Sequence, residues 1–333
     1  MKGKFLVTLL LTFVIGLGWS LAQAQVTITP LGSTPGEFCA RDRAMLFEDP
    51  SGVRILIQPG RTVSGADDPR LGVVHAILLG HAHGDHIGDR IDVACDGSGG
   101  TSLAAGGIPN IVLIANEKNS AMLVGGELSG WLRERLLAAG EGGNGRCGGS
   151  VLTEVVRTTA CADTLRPGAT RELMLNGVPT GVKVSTVQAI HSNGIPGAFV
   201  NGGLPPGTTQ YGGPETGYAI RFSNGLSVYW SDDTGIFAGM KFISDFYKVN
   251  LAILHIGDIF SMGPDEGAFA TNKLIKPKTV IPQHANEVAT TGGVVNPDTR
   301  TERFINQVKR RTKVIVPLSG VPISCDGKGR CTP

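Results

Sequence analysis

Several patterns are missing from this chain. It has no CxxC pair, no heptad array, no collagen-like period and no low-complexity linker. The missing CxxC argues against a zinc ribbon or a dithiol redox motif. Without a linker, the 333 residues read as one α/β domain with inserted loops rather than two domains. Basic tracts are absent apart from Lys309-Arg310-Arg311, which reads as the solvated end of a helix. Nucleic-acid binding therefore lacks electrostatic support. Charged residues are only 17% and hydrophobic residues 41%, which suits a sizeable core and argues against disorder. Glycine is abundant, 48 residues, so many tight turns and loops are expected.

Residues 1–24 have the pattern of a secretory signal. Lys2 and Lys4 give a basic start, Phe5 to Leu17 an apolar run, and Ala22-Gln23-Ala24 a small-x-small cleavage site. The apolar run is short for a membrane span, so removal after Ala24 is expected in preference to an uncleaved anchor. No twin arginine precedes the run and no cysteine stands at the cleavage point, so neither twin-arginine export nor a lipoprotein is indicated. The expected location is periplasmic or secreted, with no stable membrane anchor after cleavage. Loss of the two lysines brings the basic residues level with the 28 acidic ones.

An exported chain with six cysteines suggests disulfides. Cys325 and Cys331 flank a short Gly-containing loop and fit a local clip. Cys147 with Cys161, and Cys39 with Cys95, complete one of fifteen possible pairings.

Ala44 to Glu48 and Val53 to Gln58 read as a hairpin across Asp49-Pro50-Ser51-Gly52. Val73 to Leu79 reads as a buried strand. Ile111 to Ala115 reads as a short strand followed by helical periodicity to about Val124, and Leu128 to Ala139 as a helix. Residues 140–149, rich in glycine, read as a surface loop or mobile flap. Val182 to Ile190 alternates as a strand. Gly217 to Phe222 and Leu226 to Trp230 pair across Ser223-Asn224-Gly225. Strands at Leu251 to Ile256, around Val280-Ile281 and at Val314 to Leu318, and helices at Pro264 to Leu274 and Thr301 to Arg311, complete the pattern.

The most informative segment is His81-Ala82-His83-Gly84-Asp85-His86. Four potential metal ligands occur in six residues. Residues two apart face opposite sides of a helix, so this is not a helical i, i+4 pair; it needs a loop, which Gly84 permits. The segment directly follows a buried strand, where a rigid scaffold presents reactive loops. Imidazole and carboxylate are the donors of zinc and similar first-row metals.

This motif resembles the HxHxDH signature of the metallo-β-lactamase superfamily, and the likeness extends over nearly the whole chain after residue 24. Ala189-Ile190-His191-Ser192 is similar to the segment bearing that family's third histidine. Trp230-Ser231-Asp232-Asp233-Thr234-Gly235 is similar to the segment bearing its bridging aspartate, and Val280-Ile281-Pro282-Gln283-His284 to that bearing its last histidine. The resemblance implies an αββα sandwich of two mixed β-sheets flanked by helices. It implies two divalent ions, zinc by default with iron or manganese tolerated, that share a hydroxide. His81, His83 and His191 would hold one ion, and Asp85, His86 and His284 the other, with Asp233 bridging. Asp85 would orient the nucleophile or deliver a proton to the leaving group.

Asp232 stands where the family has glycine, so either carboxylate of the pair is a candidate bridge; Asp233 leads by its place before Thr234. His86 and His191 are 105 positions apart, and the intervening region, about 91–181 with its glycines and cysteines, is expected to wall or cover the site. Ile256-Gly257-Asp258, Ser261-Met262-Gly263-Pro264 and Ile55-Leu56-Ile57-Gln58-Pro59-Gly60 resemble the ascorbate-6-phosphate lactonase branch, where an aspartate often replaces Gln58. The expected activity is hydrolysis of a small ester or lactone. Alternatives are a β-lactamase, although those enzymes generally carry Cys or Ser where Asp233 stands, a phosphodiesterase, and a non-catalytic metal-binding or ligand-binding protein. His75 and Trp230 read as structural, His255 as either a support of the metals or core. Tyr211 and Tyr218 read as packing ahead of oxyanion donors. Oligomeric state stays open.

Overall fold

The computed structural model describes residues 24–102, 107–140, 145–148 and 150–333. The expected export signal, apart from Ala24, lies outside the described residues, as do residues 141–144 and 149 of the glycine-rich stretch.

Two eight-stranded mixed sheets face each other. In spatial order, the first runs Cys331–Thr332, Ile323–Cys325, Val26–Pro30, Met45–Glu48, Arg54–Ile57, Ala76–Leu79, Ala121–Val124 and Cys161–Thr164. The second runs Lys313–Val314, Thr279–Gln283, Leu251–His255, Ser227–Trp230, Thr216–Arg221, Val178–Gln188, Thr170–Leu175 and Leu152–Glu154.

Side-chain alternation divides the core into three layers. Phe47, Ile55, Leu78 and Leu123 of the first sheet meet Val184, Ile220, Trp230, Ile253 and Ile281 of the second. Their neighbours Leu46, Leu56, Ile77 and Leu79 point outward and pack with Ile111, Ile114, Leu128 and Leu132 of the helices Asn110–Lys118 and Gly126–Ala138. On the far side Tyr229, Ala252, Leu254 and Val280 pack with Met240, Ala268 and Phe304. The result is the expected αββα sandwich.

Four local expectations differ from the structure. The run Ile111 to Ala115 is helical, and the strand comes after it, at Ala121–Val124. Its β-branched residues suggest a strand, but Ile111, Val112, Ile114 and Ala115 are buried while Leu113 is 41% exposed, a helical period. The last long strand shrinks to Lys313–Val314, because Pro317 has no N–H to continue a ladder. Two further short strands follow: Ile323–Cys325 pairs with Val26–Pro30, and Cys331–Thr332 pairs with Ile323–Cys325. The stretch 91–181, expected to wall the site, supplies strands to both sheets. The final helix, Arg300–Gln307, ends before Lys309-Arg310-Arg311.

All three suggested disulfides form: Cys39–Cys95, Cys147–Cys161 and Cys325–Cys331.

Tyr218 locks the sheets together beneath the site. Its buried hydroxyl lies 2.8 Å from the Leu79 carbonyl and 2.9 Å from that of Leu123, and accepts from the Leu79 N–H at 3.2 Å. It is therefore a structural clamp between the sheets, as packing rather than oxyanion donation requires. Tyr218→Phe is expected to lower unfolding free energy by about 1–3 kcal/mol, because the ring volume stays while buried partners lose their hydrogen bond. Denaturant unfolding checks this; an unchanged midpoint would contradict the clamp.

Candidate metal centre

The strand Ala76–Leu79 ends at Gly80, immediately before His81. A Cβ at Gly80 would overlap the Asp232 carboxylate and the Thr216 carbonyl, so glycine is what lets loops from both sheets meet here. His81 and His83 sit in a loop, whereas Asp85 and His86 sit in a single helical turn, Gly84–Ile87. The segment is thus half the expected loop and half helix. Asn193 pins it: its Oδ1 accepts from the Ala82 N–H at 2.9 Å, and its Nδ2 donates to the Gly212 carbonyl at 3.0 Å. His191 follows the strand Val178–Gln188, and its N–H donates to Glu215 Oε1 at 2.7 Å. Thr234 Oγ1 accepts from the Ile190 N–H at 2.9 Å, tying the His191 loop to the aspartate pair. Asp232 and His284 occupy left-handed backbone, with φ of 54° and 51°. Such conformations are costly for residues with a Cβ and cluster at functional sites.

The structure brings all seven expected ligands together. Ligand atoms of His81, His83 and His191 lie within 4.8 Å of one another, and so do those of Asp85, His86 and His284. Asp233 lies between the groups. Its Oδ2 is 3.7 Å from His81 Nε2, 3.8 Å from His191 Nε2, 3.2 Å from His86 Nε2 and 3.4 Å from His284 Nε2. Asp232 faces the other side of the rings, with Oδ1 3.2 Å from His81 Nδ1 and 3.8 Å from His86 Nδ1.

The donor set fits metal. The Nε2 atoms of His81, His86 and His284 are buried and make no hydrogen bond among the described residues. Such atoms are costly unless they gain a partner. Burial, reinforced by Arg43, lowers the His284 pKa to about 3. Burial, reinforced by His81, lowers His83 to about 4, and burial also lowers His191. These rings are neutral lone-pair donors at pH 7. The carboxylates behave oppositely. Burial alone would raise Asp232, but the facing His81 holds it at about 2. Burial likewise opposes ionisation of Asp233 and Asp85, yet His284 and His86 hold Asp233, and His86 and Arg43 hold Asp85, well below the usual range. Neutral imidazoles around ionised carboxylates suit divalent zinc, iron or manganese.

Of the residues that support the centre, Arg43 carries no sequence signature. Arg43 is fully buried, and donates from Nε to Asp85 Oδ2 at 3.0 Å and from Nη2 to Asn286 Oδ1 at 2.7 Å. Gln58 Oε1 lies 2.9 Å from His86 Nδ1, which leaves Nε2 facing Asp233. Its place is marked only by the lactonase-like motif. His255 Nδ1 lies 2.8 Å from Asp233 Oδ1, so His255 supports the site. His75 accepts from the Arg54 N–H at 3.1 Å and is structural. Tyr211 is 68% exposed in a short hairpin, and so is neither packed nor aimed into the centre.

A cavity of about 500 Å³ opens onto His83, Asp85, Asp233 and His284. Gly257, Ile259, Phe260, Asn286 and three arginines also line it.

Two outcomes test this geometry. Protons compete with metal only below the rings' folded pKa values, and those of His83 and His284 are lowered. Metal content after desalting at stepped pH is therefore expected to persist well below pH 6.5, where imidazoles of ordinary pKa begin to bind protons, and to fall only as the pH nears 4. Asp233→Asn is expected to strip metal. Asp232→Asn is expected to weaken binding by about 10–100-fold, the usual effect of losing a carboxylate behind a metal-bound histidine. Metal titration of both variants checks this, and equal losses would contradict their separate placement.

No family model matches the chain. A UPF0173 metal-dependent hydrolase of Cupriavidus necator is 30% identical over 241 residues, covering 71% of this chain and 68% of that protein. Another, of Thermodesulfovibrio yellowstonii, is 29% identical over 276 residues, covering 81% and 84%. Among solved structures, Igni18, a metallo hydrolase from Ignicoccus hospitalis, matches with a TM-score of 0.57 at 21% identity, over 91% of this chain and 99% of that one. The metallo-β-lactamase fold protein YhfI of Bacillus subtilis matches with a TM-score of 0.52 at 13% identity, over 90% and 99%.

Proposed function

This chain belongs to the UPF0173 metal-dependent hydrolase family, within the metallo-β-lactamase superfamily, and we propose that it is an exported enzyme that cleaves a small ester or lactone at a two-metal site. The observation that carries the reading is the meeting of seven donors from both sheets, with orphaned buried ring nitrogens, beside a cavity sized for a small molecule.

Two divalent cations held by these residues would supply a nucleophile from water at neutral pH and would polarise the bond under attack. The protein's own part falls first to Asp85. His86 and Arg43 keep it ionised, and it lines the cavity, so at rest it is a proton acceptor. It takes a proton from the attacking water and returns it to the leaving-group oxygen. Gln58, Asp232 and His255 fix ring and carboxylate orientations, so little reorganisation is needed during reaction. The pairing of all six cysteines supports an oxidising compartment, as export requires.

The metal-loaded protein is expected to turn over members of a lactone and ester panel, to lose that activity to a chelator, and to regain it with added metal. His86→Ala is expected to be inactive, and Asp85→Asn to lose about 10²–10⁴ in kcat even when enough metal is added to offset its weakened binding beside His86 and His284. Phosphodiesters and a chromogenic cephalosporin complete the panel. Preference for either would overturn the ester and lactone reading, and full activity after metal removal would overturn the metal-dependent mechanism. N-terminal sequencing of exported protein is expected to begin at Gln25.

A further inference from the structure

The donors of the metal centre leave three guanidiniums in the same cavity unexplained. Arg41, Arg61 and Arg300 share its lining with His83, Asp85, Asp233 and His284. Two of them have close acidic partners. Arg61 makes a bidentate pair with Asp89, at 2.6 and 2.8 Å. Arg300 lies 3.7 Å from Glu287 and 3.9 Å from Asp258.

Arg41 differs. Its Nε is buried and makes no hydrogen bond among the described residues. Its ion-pair partner, Asp92, is 3.9 Å away and already accepts from Arg90 at 2.6 and 3.3 Å. Burial, then the neighbouring charges of Arg43 and Arg61, lower its pKa. Asp85 and Asp92 offset part of that repulsion, and a third of the Arg41 side chain stays open. An oxyanion that reaches the open part of the guanidinium offsets the repulsion with a charge-assisted hydrogen bond.

The position of Arg41 is also fixed. The Cys39–Cys95 disulfide closes beside it, and the Ala40 N–H donates to the Cys95 carbonyl at 2.9 Å. Gly97, at φ 77°, packs against its stem; a Cβ there would fall 2.7 Å from Arg41 Nε. The cavity is also lined by an apolar pair, Ile259 and Phe260, exposed by 87% and 64%. Ile259 has a φ of 57°, an outlier for a β-branched residue. Strain held in a pocket-lining residue points to a contact made with the ligand.

We propose that Arg41 is the receptor for an oxyanion on the substrate, which is a compact ester or lactone bearing a carboxylate or phosphate remote from the scissile bond, with an apolar part against Ile259 and Phe260. The proposal rests on the hydrolase reading above. Water adds across the acyl C–O bond, which breaks to give an acid and an alcohol, and the charged tail leaves unchanged.

The test uses the zinc-loaded protein after signal removal and matched 4-nitrophenyl esters with neutral, carboxylate and phosphonate tails. The wild type is expected to favour an anionic tail over the neutral one by about 10–100-fold in kcat/KM, the worth of a charge-assisted pair, mainly through KM. In Arg41→Gln the ratio is expected to fall toward one, and in Arg41→Lys to be partly restored, since ammonium keeps charge but not the fork. The ratio within one protein is insensitive to partial misfolding or metal loss. The Cys39→Ser/Cys95→Ser double variant is expected to lose most of the preference as well. A ratio unchanged within twofold in Arg41→Gln overturns the proposal; an unchanged ratio in the cysteine variant overturns the positioning role of the disulfide. Should the wild type cleave none of the esters, the ester reading fails on its own. Calorimetric binding of monomethyl glutarate and ethyl phosphate then decides: tenfold or weaker affinity in Arg41→Gln upholds the receptor, and equal affinity overturns it. The tighter of the two ligands names the anion.

Discussion

The constraint on which this structure turns is the burial of two adjacent carboxylates, Asp232 and Asp233, among imidazoles. Both are almost fully enclosed, at 1% and 3% exposure. A buried ionised carboxylate is costly unless it is paired and hydrogen-bonded. The surrounding arrangement follows from that cost. Gly80 gives Asp232 room, His81 and His86 face it, His255 holds one oxygen of Asp233, and four ring nitrogens converge on the other. Cations at that convergence would complete the compensation.

The scaffold stabilises the site by making its loops brief. His81, His191, Asp233 and His284 all follow strand ends, and those strands belong to a closely packed inter-sheet core. Tyr218 crosses that core to reach the strand leading into His81. Left-handed backbone at Gln58, Asp232, His284 and Asn286 turns the chain sharply once each strand is complete. Strain of this kind persists only where packing over-determines it, and it is concentrated within one neighbourhood.

Much of this was legible in the sequence, and what was not has a physical reason. The cluster His81-Ala82-His83-Gly84-Asp85-His86 follows a buried strand, and its residue types have few other uses at that spacing. The later ligands were legible only through resemblance, because one imidazole beside one strand carries no signal of its own. Ile111 to Ala115 misled because a short β-branched run has no period long enough to separate strand from helix. The final hairpin around Cys325 and Cys331 was hidden because its strands are two and three residues long. Arg43 and Arg41 escaped because nothing in Cys39-Ala40-Arg41-Asp42-Arg43 shows which charge turns inward. Exposure separates them afterwards: Arg43 is fully buried against Asp85, whereas Arg41 is partly open to the cavity.

The two aspartates show most sharply what a linear reading lacks. Side by side in sequence, they have the same chemistry and both approach His81 and His86. Their difference is one backbone torsion. Asp232 takes the left-handed conformation, which sends its carboxylate behind the rings toward His81 Nδ1, while its Oδ1 accepts the Asp233 N–H at 2.8 Å. Asp233 is thereby swung to the opposite side, where the Nε2 atoms meet. A residue at position 232 without a carboxylate would leave His81 Nδ1 without that nearby partner and the Asp233 N–H without its acceptor. A glycine there would reach the same torsion without the strain of a Cβ. This chain adds the strain of a side chain there, and the added carboxylate is positioned to orient His81 and to anchor Asp233, on which the ring nitrogens converge.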